Sequence, residues 1–156
     1  MIFIRKILQF SLLLICFNYE IFAQEENKAQ ENEILKQVVI ENAQARQATK
    51  NTAIYFGIKN NSKQNIVITG GKTTDAMGRI ELHEVIKENG VAKMRSIDKL
   101  VVPAGSKISF KPGGLHFMIL GLPKELKDGD KFEFALETNE GLKNFEVLVK
   151  EKINIE

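Results

Sequence analysis

Two histidines and two methionines in this chain follow a spacing that is suited to binding a soft metal ion. Ten residues separate His83 from Met94, twenty-one separate Met94 from His116, and one separates His116 from Met118. Imidazole and thioether ligands together favour Cu(I), whereas carboxylate and water ligands suit magnesium, calcium or manganese. These residue types therefore predict a copper carrier. Met77, which precedes a predicted strand, is expected to pack in the core and to act at most as an auxiliary thioether.

A predicted hairpin decides whether the first two candidate ligands can meet. His83 and Met94 flank the segment 87–90, with the sequence KENG. If all four residues form the loop, His83 lies opposite Met94. If only Asn89–Gly90 form it, His83 lies opposite Ser96 and Met94 is a diagonal neighbour. Both registers put the two side chains on one face of the sheet, and only a three-residue loop would separate them.

The second pair of candidate ligands lies on another predicted strand. His116 and Met118 are one residue apart, so they project to the same side, while Leu115, Phe117 and Ile119 project to the other. Two pairs that each share a face can converge on one ion. The sequence therefore predicts a single four-ligand metal site.

Short β-branched and aromatic runs, broken by Gly, Asn, Asp and Pro from Val38 onward, predict an all-β domain. Strict alternation in KFEFALE (131–137) and NFEVLVK (144–150) predicts two strands that pair as a late hairpin. The other predicted strands are Thr52–Lys59, Asn65–Thr69, Arg79–Ile86, Ala92–Ser96, Lys107–Phe110 and Leu115–Leu120. We therefore expect antiparallel strands that form a sandwich or a barrel.

Residues 1–23 have the features of a secretory signal peptide. Arg5 and Lys6 precede an apolar stretch over 7–17, and a polar segment ends at Ala23, after which we expect cleavage. A membrane anchor needs about twenty predominantly apolar residues, and this stretch is roughly half as long. We therefore expect a periplasmic protein without a membrane span after cleavage.

The single cysteine, Cys16, falls inside the expected signal peptide. Bacterial lipidation normally requires a small residue before the cysteine, and Ile15 is large, so we do not expect a lipid anchor. The mature chain then has no cysteine and no disulfide, which suits a copper site in an oxidising compartment because a thioether cannot form disulfides. We expect residues 24–36 to form a charged, flexible leader and 37–156 to form the copper-binding domain.

The charge distribution argues against nucleic acid as a partner. The net charge of +2 arises from 22 basic and 20 acidic residues spread along the whole chain, without a basic stripe. A chain of 156 residues fits one domain. It contains no internal repeat or coiled-coil pattern, so we expect a monomer.

Other classes of protein remain as alternatives at this stage. A blue-copper electron carrier needs a thiolate ligand, which the mature chain lacks. A zinc-binding or hydrolytic protein would use more histidine or carboxylate ligands; Glu81 and Glu84 are close to His83, but Glu84 should point away from it. A plain binding module with incidental His and Met residues is a third alternative. Copper storage or scavenging is the closest variant of the main prediction.

The spacing and its surroundings resemble the periplasmic copper-A chaperone family, known as PCuAC. The resemblance extends over roughly residues 39–149. It includes IELHEV around His83, NGVAKMRSID around Met94, VPAGSKISFKPGGLHFMILGL around His116 and Met118, and LKDGDKFEFAL after the last of them. All four positions match the ligand pattern of the family.

This resemblance implies a cupredoxin-like β-sandwich that binds Cu(I) at an edge-exposed site and is not an enzyme. Family members pass copper toward the binuclear centre of cytochrome c oxidase, so the implied partners are oxidase subunit II or a Sco-type thioredoxin-fold protein. The chain departs from the family in lacking tryptophan and in ending with VKEKINIE, which contains no histidine or methionine. These departures concern the copper capacity and the partner rather than the four ligands.

Overall fold

Alternating apolar residues build ten β-strands in the part of the chain that the structure, a computed structural model, describes: residues 33–155. The strands are β1 (Val38–Arg46), β2 (Asn51–Asn60), β3 (Ile66–Thr73), β4 (Arg79–Glu88), β5 (Val91–Ser96), β6 (Leu100–Val102), β7 (Lys107–Phe110), β8 (His116–Leu120), β9 (Lys131–Thr138) and β10 (Gly141–Lys150). The eight individually predicted strands are all present. The sequence prediction did not specify β1, which is rich in polar residues, or the three-residue β6.

The strands pair in the order β5-β4-β8-β2-β1-β10-β9-β3-β6, and β7 also pairs with β2. β8 and β7 lie one after the other along the same edge of β2. All of these pairs are antiparallel except β1 with β10, which is parallel. The sheet is therefore antiparallel as predicted in every pair but one, and mixed overall, because the first and last strands, β1 and β10, are neighbours that run in the same direction.

Phenylalanine rings from opposite parts of the sheet meet in the core. Phe56 stacks on Phe110 with a centroid distance of 4.2 Å, and Phe117 lies 5.7 Å from Phe110. Phe134 of β9 lies 5.2 Å from Phe117, and Phe145 of β10 lies 5.2 Å from Phe56. Because β8 and β9 are not neighbours in the sheet, these contacts join two facing layers. The all-β sandwich predicted from the sequence is confirmed.

A short helical turn just before β1 also packs against the core. Residues 33–36 form one helical turn, and Ile34 and Leu35 are buried in the core. Lys143 Nζ donates a hydrogen bond to the Leu35 carbonyl oxygen at 2.9 Å. Residues Ile34–Glu156 form one compact unit. The predicted signal peptide, its cleavage after Ala23, Cys16 and most of the predicted leader lie outside the described residues.

No helix in residues 33–155 is long and apolar enough to cross a membrane.

Candidate metal centre

A two-residue hairpin turn brings Met94 to His83. Asn89 and Gly90 have φ values of 51° and 80°, the left-handed backbone that a tight turn between antiparallel strands requires. His83 of β4 consequently lies opposite Ser96 of β5, and Met94 lies opposite Val85. Of the two registers considered from the sequence, the structure contains the one with the diagonal arrangement. Nδ1 of His83 lies 3.0 Å from Sδ of Met94.

Strand β8 supplies the other two candidate ligands, because it pairs with the opposite edge of β4. His116 lies directly opposite His83, and Met118 lies directly opposite Glu81. Residues that are directly opposite in an antiparallel pair project to the same face. The two imidazole rings meet edge-to-face, with centroids 5.6 Å apart. The four residues predicted from the sequence, hereafter the His/Met cluster, therefore share one sheet face across β5, β4 and β8.

Hydrogen bonding determines which nitrogen of His116 carries a proton. Nδ1 of His116 lies 3.0 Å from the Gly114 carbonyl oxygen. A carbonyl can only accept, so Nδ1 is the donor. In the neutral ring this leaves the lone pair of Nε2 free for an ion. The loop KPGG is thus more than a connection between β7 and β8, since its last residue orients a candidate ligand.

The environment of His116 favours the neutral ring that a metal ion needs. The side chain is buried, and burial lowers its pKa below the usual range. The hydrogen bond to Gly114 opposes this effect on the pKa, and the charge of a protonated His83 reinforces it. A base with a lowered pKa stays unprotonated to a lower pH. Protons should therefore compete with a metal ion for His116 less effectively than for an ordinary histidine.

The accessibility of the cluster is uneven. His83 and His116 are buried, whereas Met94 is 57% exposed on β5. All six residues of β5 are exposed, and this strand is the edge of the sheet. One thioether therefore faces solvent while both imidazoles lie beneath the surface. An incoming ligand would approach the cluster from the side of Met94.

Two further residues contact the cluster. Nε2 of His83 lies 2.8 Å from Oε2 of Glu81, and the buried Tyr55 ring lies 6.1 Å from His116. From the sequence, Glu81 was considered only as a ligand in a zinc-binding or hydrolytic site, although its position two residues before His83 already placed it on the same face. No local signal indicates Tyr55, because the pairing of β2 with β8 joins distant segments.

Met77 lies in the core, as the sequence predicted. It is 3% exposed and packs with the other buried residues. Its backbone N–H donates to Oγ1 of Thr73 at 3.0 Å. It also lines a cavity of about 280 Å³ together with Asp75, Lys124 and other residues that are not part of the His/Met cluster.

Within residues 33–155, no group of three or more His, Cys, Asp or Glu side chains is placed to hold an ion. The cluster described above combines two imidazoles with two thioethers, a ligand set that suits a soft ion.

Solved structures with the same fold are PCuAC domains. The copper-bound PCuAC domain from PmoF2 matches with a TM-score of 0.60 and 18% identity, over 73% of this chain and 92% of that domain. The Cu(I)-bound DR1885 protein from Deinococcus radiodurans matches with a TM-score of 0.60 and 27% identity, over 74% of this chain and 78% of that protein. The protein is therefore a cupredoxin-like β-sandwich of the PCuAC class, and the resemblance read from the sequence is confirmed.

The chain belongs to the LpqE-like family, described as putative lipoprotein LpqE-like, whose model matches residues 35–148. It is 32% identical over 91 residues to a putative lipoprotein of Leifsonia xyli subsp. xyli, covering 58% of this chain and 54% of the relative. It is also 32% identical over 86 residues to an uncharacterized protein of Rickettsia prowazekii, covering 54% of this chain and 47% of the relative. The chain spans about half the length of these curated relatives.

Proposed function

We propose that this protein is an exported copper chaperone that binds one Cu(I) through His83, Met94, His116 and Met118. The observation that carries the proposal is the 3.0 Å distance between Nδ1 of His83 and Sδ of Met94, beside the directly opposed His116. Support also comes from two structures with this fold that contain copper, the PCuAC domain from PmoF2 and the Cu(I)-bound DR1885 protein. Two neutral imidazoles and two thioethers suit Cu(I) better than Zn(II), which prefers thiolate, imidazole or carboxylate ligands.

The arrangement is suited to transfer by ligand exchange. Met94 is exposed and the histidines are buried, so a ligand of an acceptor protein can reach the ion before the histidines release it. Because the four ligands are neutral and include no thiolate, the site can release Cu(I) to an acceptor. This exchange requires no general base and no nucleophile, and we propose that the protein is not an enzyme.

The proposed acceptor is a copper protein on the oxidase-assembly route, such as cytochrome c oxidase subunit II or a Sco-type thioredoxin-fold protein. The description of the family as putative lipoproteins is consistent with the export that the sequence of residues 1–23 predicts. Copper storage or scavenging would use the same site without an acceptor. The two functions differ in whether copper passes directly to another protein.

Replacing Met94 tests the site from its exposed side. Met94→Ala should raise the Kd for Cu(I) by roughly tenfold or more, equivalent to about 1.4 kcal/mol of lost binding energy, because one of four ligands is removed. The measurement is a Cu(I) titration of the mature protein against a competing chromophoric chelator. We expect one equivalent to bind to the wild type.

Arg95→Ala is the matched control for that experiment. Arg95 is the next residue of β5, is also exposed, and projects to the other face of the sheet. The Arg95→Ala variant should bind Cu(I) as the wild type does. Equal binding by the wild type and Met94→Ala would contradict the proposed site, and absence of Cu(I) binding by the wild type would favour a binding module without metal.

Direct transfer predicts how the rate depends on the acceptor. If ligands of the acceptor enter before those of the donor leave, the observed transfer rate rises with acceptor concentration. Stopped-flow mixing of the Cu(I)-loaded protein with apo oxidase subunit II measures this rate. A rate that stays constant over the whole concentration range would instead mean that copper is fully released first, as expected for a storage protein.

A further inference from the structure

The carboxylate of Glu81 lies beside the His/Met cluster and connects two charged or ligating groups. Its Oε2 lies 2.8 Å from Nε2 of His83, and its Oε1 forms an ion pair with Nη1 of Arg79. Arg79, Glu81 and His83 alternate along β4, so their side chains share one face of the sheet. The Glu81 side chain is 23% exposed and that of His83 is 11% exposed, so solvent only partly competes for this hydrogen bond.

We infer that Glu81 is a positioning residue that determines which ring nitrogen of His83 faces copper. A carboxylate accepts hydrogen bonds, so Nε2 of His83 carries the proton that it donates to Glu81. In the neutral ring the lone pair is then on Nδ1, the atom that lies 3.0 Å from Sδ of Met94. The inference rests on the proposed function, since the orientation matters only if this cluster binds copper.

The two histidines then bind through different nitrogens. The Gly114 carbonyl accepts from Nδ1 of His116 and leaves Nε2 for the ion. Glu81 accepts from Nε2 of His83 and leaves Nδ1. The rings are perpendicular to one another, with an interplanar angle of 90°. Each ring is thus oriented by its own acceptor, but only the acceptor of His83 is a side chain and can be removed by mutation.

Arg79 supports this role of Glu81. Its guanidinium pairs with the carboxylate oxygen that does not contact His83, so it restrains the carboxylate without competing for Nε2. It also reduces the negative charge next to an ion whose proposed ligands are all neutral. Arg79 itself is largely exposed.

Hydrogen-bond acceptors behind metal-binding histidines typically change metal affinity by about 10–100-fold when they are removed. Glu81→Ala should therefore weaken Cu(I) binding by about tenfold. Glu81→Gln keeps an oxygen that can accept from Nε2 and should recover most of the affinity. Glu84→Ala is the matched control, because Glu84 lies on the same strand but projects to the other face, opposite Arg95.

The decisive measurement is ¹⁵N NMR of the imidazole nitrogens, which Cu(I) permits because it is diamagnetic. On Cu(I) addition to the wild type, we expect the large shift change at Nδ1 for His83 and at Nε2 for His116. In Glu81→Ala, the shift change of His83 on Cu(I) addition should no longer be confined to Nδ1. The shift change of His116 should remain at Nε2. A change of stability alone would not move the signal from one ring nitrogen to the other.

The outcomes separate this inference from the proposed function. Binding of Cu(I) by wild-type His83 through Nε2, or unchanged affinity and an unchanged nitrogen pattern in Glu81→Ala, would overturn the role of Glu81 and leave the copper site intact. Failure of the wild type to bind Cu(I) would overturn both. Loss of affinity in Glu81→Ala, recovery in Glu81→Gln and no change in Glu84→Ala would establish the positioning role.

Discussion

Replacing His116 with alanine should lower the affinity for Cu(I) by about 100-fold or more, equivalent to about 2.7 kcal/mol. His116 is 5% exposed, and the hydrogen bond from its Nδ1 to the Gly114 carbonyl already orients Nε2. The ring is therefore ordered before copper binds. The one other histidine of the sequence is His83, which is part of the same cluster. Chelator competition measures the change in Kd.

Ser96→Ala is the control for this prediction. Ser96 lies directly opposite His83 on the same face of the hairpin but has a side chain that does not suit Cu(I). Its replacement should leave the Kd within about twofold, well under 1 kcal/mol. If His116→Ala bound Cu(I) as tightly as Ser96→Ala, the imidazole of His116 would not be a ligand, and the proposed four-ligand site would have to be abandoned.

The second large effect is on stability. Phe117→Ala should lower the free energy of unfolding by about 3–5 kcal/mol, because the substitution leaves a cavity in a close-packed core. Phe117 is fully buried and lies between the rings of Phe110 and Phe134, which belong to facing layers. Urea denaturation of the metal-free protein, followed by circular dichroism, measures the change as a shift in the transition midpoint.

Phe117→Leu should lower the free energy of unfolding less than Phe117→Ala does, because leucine fills part of the cavity that alanine would leave. Phe117 also separates His116 from Met118 in β8 and projects to the opposite face. Cu(I) binding to Phe117→Ala at low temperature should therefore persist wherever the variant remains folded. Unfolding free energies for Phe117→Ala within about 1 kcal/mol of the wild type would contradict the packing of the two layers around this ring.

Two features outside the predicted strands leave the His/Met cluster unchanged. The parallel pairing of β1 with β10 lies on the other side of β2 from β4, β5 and β8 in the strand order. Ile34 and Leu35, just before β1, add two buried side chains to the core. Neither feature alters the strands that carry the four candidate ligands.

Properties that depend on neighbouring residues could be derived from the sequence alone. The side-chain period of a strand is two residues, so the common face of His116 and Met118 followed from their numbers. The dipeptide Asn89–Gly90 favours a tight turn with left-handed backbone, and both registers considered for that hairpin give His83 and Met94 a shared face. The strand runs, the all-β class and the soft character of the ligand set followed in the same way.

The remaining features depend on the fold. The structure chose between the hairpin registers that the local sequence left open and placed Met94 diagonally to His83. The pairing of β4 with β8 placed His116 directly opposite His83, and the pairing of β2 with β8 brought the Tyr55 ring to 6.1 Å from His116. The physical reason is that strand pairing between remote segments is set by burial of the whole core, including the phenylalanine layers, and no local period encodes which strands become neighbours.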